Sequence, residues 1–216
     1  MSEIDYLIRG ESDLVLTEIA NNIKNIENIQ KTKGLCFKKS NKIIINPPQK
    51  IIKDMDIIPN YDYSVFDSQV FLRPYNGRIL KAIDYELSRG CVYACEYCVE
   101  TVIQKYYGFE EVSSRGTILS AKDYLRNKSA LRVFNEMKDL NNKYDIELFR
   151  CQDTNFLSIN RKMLMKLSNL ISESNLNIML YIETRPEGIN SSAIELLKKL
   201  KVDGVGMGIE LSSQEF

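Results

Sequence analysis

A predicted strand runs directly into a cysteine loop at residues 82–98, which read AIDYELSRGCVYACEYC. The apolar pattern up to Leu87 predicts the strand, and the polar, glycine-containing stretch after it predicts the loop. The loop carries Cys91, Cys95 and Cys98 at the spacing CxxxCxxC. In α/β proteins, loops at strand ends commonly carry the functional side chains. We therefore expect an α/β fold built around this stretch.

The same alternation of helix and strand continues toward the C-terminus. The helices show apolar residues three and four positions apart, the first two strands below are short apolar runs, and the third is rich in glycine. The predicted pairs are helix 128–140 with strand 146–151, helix 163–171 with strand 177–183, and a helix opened by a Ser192/Glu195 capping box with strand 205–210. Together with the strand before the cysteine loop, they predict four consecutive parallel strands in a barrel or an open sheet. We expect a barrel cut short, because the sequence stops where another helix should begin.

The part before the barrel contains a short βα unit and a hairpin. A strand is predicted at 4–8, and apolar residues at helical spacing predict a helix from Asp13 to Ile26. A hairpin is predicted at 34–45 around a polar turn, and 47–80 is predicted to be a long connector. A single βα unit cannot bury its own apolar face, so we expect both chain ends to be cuts through larger domains. Open sheet edges would then make the chain aggregate or require a partner.

The charges give no indication of two classes of partner. The 29 basic and 29 acidic residues cancel without long runs of one sign, so neither a nucleic-acid footprint nor a membrane-seeking patch is indicated. No stretch approaches the roughly 18 consecutive apolar residues of a membrane span, and the first residues lack the order of a secretory signal. We therefore expect a cytoplasmic protein with small or neutral partners.

The residue types restrict the chemistry. The chain contains no histidine, which removes the commonest general base, the usual zinc-water ligands and every Ser-His or Cys-His nucleophile. The five cysteines are an odd number, and three of them lie within residues 91–98, a layout that suits a metal better than a disulfide framework. A reducing compartment agrees with this. No side chain is predicted to be catalytic by itself.

Three thiolates at this spacing can each bind a different iron of a 4Fe-4S cluster, which leaves the fourth iron open to a cofactor or substrate. Two alternatives stay open. The first is a non-catalytic metal-binding fragment, in which Cys36 or Cys151 completes a zinc site or a cluster is held without turnover. The second is an electron carrier, which needs a fourth cysteine ligand, and Cys151 is the nearest one after the motif. Both extra cysteines lack metal spacing and are otherwise expected to be small core residues.

The cysteine motif also resembles that of a known family. CxxxCxΦC after the first barrel strand, with Φ aromatic, is the cluster motif of the radical S-adenosylmethionine (radical SAM) superfamily, and Tyr97 completes the match. Other stretches resemble the cobalamin-dependent subgroup, namely ELSRG at 86–90, DTNF at 153–156, ETRPE at 183–187 and GIELS at 208–212. Residues 4–63 resemble the segment that closes that subgroup's cobalamin-binding domain and links it to the barrel.

The resemblance implies an α/β fold with a partial (β/α) TIM-like radical SAM barrel, of which the first four strands are present. The barrel would be preceded by the tail of a Rossmann-like cobalamin-binding domain. The implied domains are a C-terminal remnant of that domain at 1–33, a linker with a small hairpin at 34–80 and the N-terminal part of the barrel at 81–216. The Asp-x-His-x-x-Gly loop of many cobalamin domains is absent, so cobalamin would be bound only by a longer protein.

The resemblance also implies an activity. In the family, S-adenosylmethionine binds the open iron of the 4Fe-4S cluster and is cleaved reductively to a 5′-deoxyadenosyl radical, which abstracts a substrate hydrogen. In the cobalamin-linked subgroup the outcomes include methyl transfer and rearrangement. The implied partners are a small-molecule or natural-product substrate and a reductant such as flavodoxin or ferredoxin.

Besides the three cysteine metal ligands, the resemblance implies four residues that bind the cofactor. Tyr97 would lie near the adenine, and Asp153 near the methionine amino group or solvent. Arg185 would contact the carboxylate or ribose, and Glu210 the ribose hydroxyls or the amino group. The carboxyl ends of barrel strands converge, which independently favours the last three residues. The alternative for each charge is a solvated loop or a helix-capping ion pair.

Overall fold

The structure is a computed structural model that describes residues 4–209 and divides into two compact units. The N-terminal unit contains the described residues up to Lys53 and the segment Ala94–Leu119. The sheet unit contains Asp54–Tyr93 and the described residues from Ser120 onward. The three domains implied by the family resemblance stay a prediction, because a compact unit does not by itself identify a domain family.

A three-stranded antiparallel sheet forms the centre of the N-terminal unit. Its order is β1-β2-β3, with β1 (Tyr6–Ile8), β2 (Leu35–Lys39) and β3 (Lys42–Ile45). The predicted hairpin is confirmed, and Ser40 and Asn41 join its strands with φ angles of 47° and 61°. Positive φ at both turn residues matches the right-handed twist of the two strands, and asparagine tolerates this conformation.

Three helices belong to this unit, and they are α1 (Asp13–Asn21), α2 (Ile26–Ile29) and α3 (Val99–Tyr106). The sequence predicted one helix from Asp13 to Ile26, but the structure divides it. Asn25 has an extended backbone, and its side chain accepts a hydrogen bond from the amide of Asn28, so it caps a new helix start. Ile23 and Ile26, which belong to the predicted apolar stripe, are therefore exposed.

A five-stranded sheet of order β10-β9-β8-β5-β4 forms the centre of the sheet unit. Its strands are β4 (Leu72–Tyr75), β5 (Arg78–Tyr85), β8 (Leu148–Cys151), β9 (Met179–Thr184) and β10 (Val202–Met207). The pairs β5–β8, β8–β9 and β9–β10 are parallel, so the predicted run of four parallel strands is confirmed. β4 pairs antiparallel with β5 at the edge.

The connections between the parallel strands are helical. The long helices are α5 (Ala130–Tyr144), α6 (Arg161–Ser172) and α7 (Ser191–Lys199). A short α4 (Ala121–Tyr124) precedes β7 (Arg126–Asn127), which pairs with β6 (Ser88–Arg89). In the part of the chain that the structure describes, no helix is both long and apolar enough to cross a membrane.

The antiparallel hairpin of β4 and β5 was not predicted. It begins within the range 47–80, where the sequence indicated a connector, and its strands are joined by Asn76 and Gly77. Asn-Gly between two apolar runs is a strong hairpin signal, so the sequence did contain the information. β4 covers one edge of the parallel sheet.

Alternate residues of the strands face the long helices and form the main core. On β5 these are Ile83 and Tyr85, and on β9 they are Leu180 and Ile182. They pack with apolar residues of α5, α6 and α7, including Val133, Met137, Leu164, Leu167 and Leu196. The intervening strand residues point to the opposite face because the side-chain period of a strand is two. Leu80, Ala82 and Leu148 form a smaller cluster there.

The start of α7 differs from the prediction. The helix begins at Ser191, and its N-cap is Asn190, whose side chain accepts a hydrogen bond from the amide of Ala193 at 3.0 Å. The predicted capping box of Ser192 and Glu195 is therefore wrong. An asparagine just before the first turn is as good an N-cap as serine, and it takes the role at the earlier position.

A buried group of charged and aromatic side chains connects β5 to α5. The Nζ atom of Lys128 is 2.9 Å from Oε2 of Glu136, and Nε of Arg132 donates to Oε1 at 2.7 Å. The hydroxyl of Tyr85 also donates to Glu136, and the Lys128 ammonium lies 4.5 Å from the centroid of the Tyr85 ring. Burial alone would raise the pKa of Glu136, but the hydrogen bonds from Lys128 and Tyr85 outweigh it and lower the pKa. Glu136 is therefore a paired carboxylate inside the core.

We expect Lys128→Met to destabilise the sheet unit by about 3–5 kcal/mol, because it leaves the buried Glu136 carboxylate without its fully buried cation. The free energy of unfolding, measured by urea titration, tests this. Lys138→Met is the matched control, since Lys138 is an exposed residue of α5, the helix that contains Glu136. Equal stability of the two variants would contradict the importance of the pair.

Candidate metal and cofactor site

The cysteine motif is divided between the two units. Cys91 belongs to the sheet unit and is buried, whereas Cys95 and Cys98 belong to the N-terminal unit and are half-buried. Among residues 4–209, no three His, Cys, Asp or Glu side chains lie close enough together to hold a metal ion. That the three cysteines bind one metal group therefore stays a prediction from their spacing.

Close contacts fix the backbone on both sides of Cys91. Gly90 has a φ of 96°, and a Cβ atom on it would lie 2.6 Å from the carbonyl oxygen of Tyr124, so a larger residue would be strained there. The amide of Tyr93 donates a hydrogen bond to Sγ of Cys91 at 3.5 Å. Amide donors to sulfur are typical of cysteines that bind metal clusters. The sheet unit thus holds this thiol in a defined, buried position.

Asp153 lies just beyond the end of β8, and only 2% of its surface is exposed. Its Oδ1 accepts hydrogen bonds from the amide and the hydroxyl of Ser88, both at 2.6 Å, and from the amide of Leu87 at 3.2 Å. These bonds connect the end of β8 to the segment that leads into the cysteine loop. Burial raises the pKa of Asp153 to about 6, although the hydrogen bonds from Ser88 and Leu87 oppose the rise.

A second set of polar contacts in this segment was not predicted. Arg89 donates to Oε1 of Glu86 from Nη2 at 2.7 Å and from Nε at 3.0 Å. The hydroxyl of Tyr61 donates to the same oxygen at 2.8 Å. Burial, and then the negative charge of Glu86, raises the pKa of Tyr61, so the tyrosine stays protonated and remains a donor. Opposite charges three residues apart were a usable signal for Glu86 and Arg89, whereas no local pattern indicates Tyr61.

Arg185 directly follows β9 and contacts the cysteine loop. Its guanidinium carbon lies 4.3 Å from the centroid of the Tyr93 ring, which is a cation–π distance. Its Nε also donates to Oε2 of Glu187 at 3.3 Å. Arg185, one of the predicted cofactor-binding residues, thus lies against Tyr93 in the loop that contains Cys91. The role of Tyr93 in holding Arg185 could not be predicted, because the two residues are far apart in the sequence.

The end of β9 is also connected to the segment after β8. The hydroxyl of Thr184 donates to Oδ1 of Asn155 at 2.7 Å, and both side chains are buried. Together with the Asp153 contacts, this bond joins the carboxyl ends of three neighbouring strands, β5, β8 and β9. The polar strand ends therefore do lie at one edge of the sheet, as the parallel arrangement requires.

The remaining predicted residues have different surroundings. Tyr97 is 71% exposed in a tight turn, in which the amide of Cys98 donates to the carbonyl oxygen of Cys95 at 3.0 Å. Glu210 lies outside the described residues. Cys36 and Cys151 are buried core residues, as expected, and burial raises the pKa of the Cys151 thiol.

We expect Asp153 to make the stability depend on pH. Its pKa rises from 3.8 to about 6 on folding, so between these values the folded chain keeps a proton that the unfolded chain releases. This proton stabilises the fold fully below pH 3.8, and about 3 kcal/mol of stabilisation is lost as the pH rises through about 6. Asp153→Asn keeps an acceptor for Ser88 and should remove this loss. Urea unfolding of both proteins from about pH 4 to pH 7 measures it, and parallel pH profiles would contradict the raised pKa.

Similar proteins are found by sequence, although no protein-family model matches the chain. An anaerobic magnesium-protoporphyrin IX monomethyl ester cyclase of Synechocystis is 22% identical over 98% of this chain and 38% of its own length. An uncharacterized methyltransferase of Pyrococcus horikoshii is 24% identical over 97% of this chain and 41% of its own length. The chain thus spans about two fifths of the length of these curated relatives.

Solved structures show the same fold. TsrM, a radical S-adenosylmethionine methyltransferase from Kitasatospora setae with tryptophan substrate and a SAM analogue bound, matches with a TM-score of 0.67 and 16% identity, over 98% of this chain and 38% of that chain. OxsB, a cobalamin-dependent S-adenosylmethionine radical enzyme with aqua-cobalamin bound, matches with a TM-score of 0.66 and 15% identity, over 96% of this chain and 28% of that chain. The chain therefore has a mixed α/β fold with a parallel sheet like that of cobalamin-dependent radical SAM enzymes, and the resemblance indicated by the cysteine motif is confirmed.

Proposed function

We propose that this chain carries the cluster-binding part of a radical SAM enzyme, in which Cys91, Cys95 and Cys98 each bind one iron of a 4Fe-4S cluster. The observation that carries the proposal is the complete CxxxCxxC motif directly after the first strand of a parallel sheet whose fold resembles TsrM and OxsB. Such a cluster, when bound, supplies the electron that cleaves S-adenosylmethionine to a 5′-deoxyadenosyl radical, which takes a hydrogen from the substrate.

The cysteines fit a cluster that has one open iron. Three thiolates bind three irons, and a closed four-thiolate site would need Cys36 or Cys151. Cys151 lies in the main apolar core with 1% of its surface exposed, and Cys36 lies in β2 with 5% exposed. Burial also raises the pKa of Cys151, which disfavours the thiolate that a metal requires. The surroundings of Cys151 therefore argue against it as a fourth ligand, and the motif itself supplies three protein ligands.

The polar residues at the strand ends would hold the cofactor and the loop. Arg185 offers a cation to the carboxylate or ribose of S-adenosylmethionine, and its contact with Tyr93 limits the positions of its guanidinium. The Asp153 carboxylate is engaged by the Leu87 and Ser88 amides, which supports a role in holding the loop more than direct contact with the cofactor. Exposed Tyr97 is proposed to contact the adenine, and Glu210 the ribose or amino group, on the basis of the family pattern.

We also propose an assignment of the chain to known domain types. β5, β8, β9 and β10 would be the first four strands of a TIM-like radical SAM barrel within residues 81–216. Residues 1–33 would be the end of a Rossmann-like cobalamin-binding domain, followed by a linker at 34–80. The match to TsrM and OxsB over nearly the whole chain supports this assignment.

The substrate is proposed to be a small molecule or natural product, and the reaction a cobalamin-linked methyl transfer or rearrangement. TsrM has tryptophan as its substrate, and one curated relative is named a cyclase of magnesium-protoporphyrin IX monomethyl ester, which supports a small-molecule substrate. A flavodoxin or ferredoxin is proposed as the reductant. Cobalamin would be bound by a longer protein, because this chain lacks the histidine of the usual cobalamin-binding loop.

Replacing a ligand should abolish the cluster. We expect anaerobic reconstitution of the wild-type chain to give a 4Fe-4S cluster whose electron paramagnetic resonance spectrum shifts when S-adenosylmethionine is added, because the open iron gains a ligand. Cys98→Ala should lose both the cluster and the shift. Cys36→Ala, which changes a buried cysteine outside the motif, should retain both and is the matched control. A wild-type cluster that ignores S-adenosylmethionine, or a chain that takes up only zinc, would refute the proposal.

A second experiment tests Arg185 alone. Arg185→Lys keeps the charge but loses the planar group that stacks on Tyr93, so we expect S-adenosylmethionine to bind roughly tenfold more weakly with the cluster content unchanged. Arg161→Lys is the control, since Arg161 contacts Ser192 at the start of α7 instead of the cysteine loop. Titration of the spectral shift gives the affinities. Equal affinity in both variants would show that Arg185 does not bind the cofactor.

A further inference from the structure

The helix that follows the cysteine loop ends against the loop after β1. At the C-terminal end of α3, the hydroxyl oxygen of Tyr107 accepts a hydrogen bond from the amide of Glu11 at 2.7 Å. The neighbouring Tyr106 ring lies under the guanidinium of Arg9, with 4.5 Å from the guanidinium carbon to the ring centroid. Two successive tyrosines thus contact Arg9, Gly10 and Glu11, which are more than ninety positions away in the sequence.

Gly10 leaves the space that this contact needs. Its φ is 86°, a conformation that strains any residue with a Cβ atom. A Cβ atom built there would lie 2.0 Å from the hydroxyl oxygen of Tyr107 and 3.2 Å from Cε1 of Tyr106. Even alanine would therefore have to displace the Tyr107 side chain. The glycine is required both by the turn of the chain and by the tyrosine that packs on it.

The segment that receives the tyrosines is itself fixed to the N-terminal unit. The amide of Arg9 donates to the carbonyl oxygen of Gly34 at 2.8 Å, directly before β2. Oε2 of Glu11 accepts a hydrogen bond from the amide of Ile52 at 3.2 Å. The segment is therefore held in place on its own side, and we expect a displacement of Tyr107 to be passed on to α3, whose C-cap residue it is.

The other end of α3 carries two of the cysteines. Cys98 is the N-cap residue of the helix, and Thr101 in its first turn donates its hydroxyl hydrogen to the carbonyl oxygen of Cys95 at 2.7 Å. Eight helical residues, Val99–Tyr106, connect this turn to the tyrosine contact. A helix of this length transmits a shift of one end to the other, because its backbone hydrogen bonds keep it rigid.

We propose that Gly10 and Tyr107 are positioning residues, which set the orientation of Cys95 and Cys98 through α3. The consequence for the cluster rests on the proposed function, whereas the mechanical link does not. The loop after β1 therefore acts on the metal site from outside the cysteine motif, and a change at Gly10 alters how the thiols are presented without touching them.

The first test uses the full chain without metal, so that it does not depend on the cluster. The alkylation rate of each cysteine is measured by mass spectrometry in wild type, Gly10→Ala and Gly108→Ala. Gly108 has the same φ of 86° but no atom within 4 Å of an added Cβ, so it reproduces the backbone strain without the clash. We expect Gly10→Ala to raise the rates of Cys95 and Cys98 about three- to tenfold through local opening, and Gly108→Ala to change them less than about twofold.

Cys91 is the internal control, because its backbone is fixed by contacts of the sheet unit. A Gly10→Ala protein in which all three cysteines change equally has unfolded globally, and then Tyr107→Phe decides. That variant removes only the hydroxyl that accepts from Glu11. It should raise the alkylation rates of Cys95 and Cys98, leave that of Cys91 unchanged and lower the unfolding midpoint only slightly, by the loss of one hydrogen bond. If Tyr107→Phe leaves Cys95 and Cys98 unchanged, or if Gly10→Ala and Gly108→Ala behave alike, the proposal is overturned.

The second test uses the protein after reconstitution of the 4Fe-4S cluster. If the wild-type chain binds a cluster, Gly10→Ala should lower its iron content and reduce the spectral response to S-adenosylmethionine, and Gly108→Ala should not. The double variant Gly10→Ala/Tyr107→Phe should be no worse than Gly10→Ala, because both changes act through one contact and their effects are then not additive. Additive effects would contradict that single contact. A wild type without a cluster refutes the proposed function alone, since the alkylation rates still decide the positioning role.

Discussion

The hydrogen bonds from the backbone and hydroxyl of Leu87 and Ser88 to the Asp153 carboxylate are the constraint on which the start of the cysteine loop depends. A carboxylate that is 2% exposed would be very costly without donors, and three donors from one short segment offset most of that cost. They do not offset all of it, because the pKa of Asp153 still rises to about 6. Perturbed carboxylates of this kind are concentrated at functional sites, where geometry is held at some expense of stability.

β5, the strand that leads to Leu87 and Ser88, is also held by a buried group of charged and aromatic side chains. Tyr85, two residues before Leu87, points to the helix face of the sheet and donates to Glu136, whose charge is balanced by Lys128 and Arg132. The amide of Lys128 in turn donates to the carbonyl oxygen of Leu87 at 2.9 Å. Removing one member of such a group leaves a buried charge without its partner, so the members stabilise the fold only together. The end of β5 is thus held from both sides before the chain turns into the loop.

The sequence predicted the repetitive parts of the fold well and the local exceptions poorly. The parallel strands β8 and β9 were predictable because their buried residues lie in short apolar runs, and the α5, α6 and α7 stripes have a clear helical period. The break between α1 and α2 was missed because Asn25 can cap a helix or continue one, and apolar spacing alone does not distinguish these. The hairpin at Asn76 was missed although its turn signal is strong. The sequence-based prediction was thus wrong at positions where one asparagine determines the backbone conformation.

For the candidate site, the sequence predicted several of the residues but not the partners that they contact. The cysteine spacing is a local property of the sequence and could be predicted from it. Asp153 and Arg185 were predicted from their positions at the ends of strands, which requires no knowledge of their contacts. Their partners could not be predicted, because Ser88 lies 65 positions from Asp153, and Tyr107 lies 96 positions from Glu11. Such contacts join residues that are distant in the sequence, so they form only when the intervening chain folds. The proposed chemistry of the cysteine loop is therefore indicated by the motif itself, whereas the contacts around the loop and α3 come from residues that carry no motif of their own.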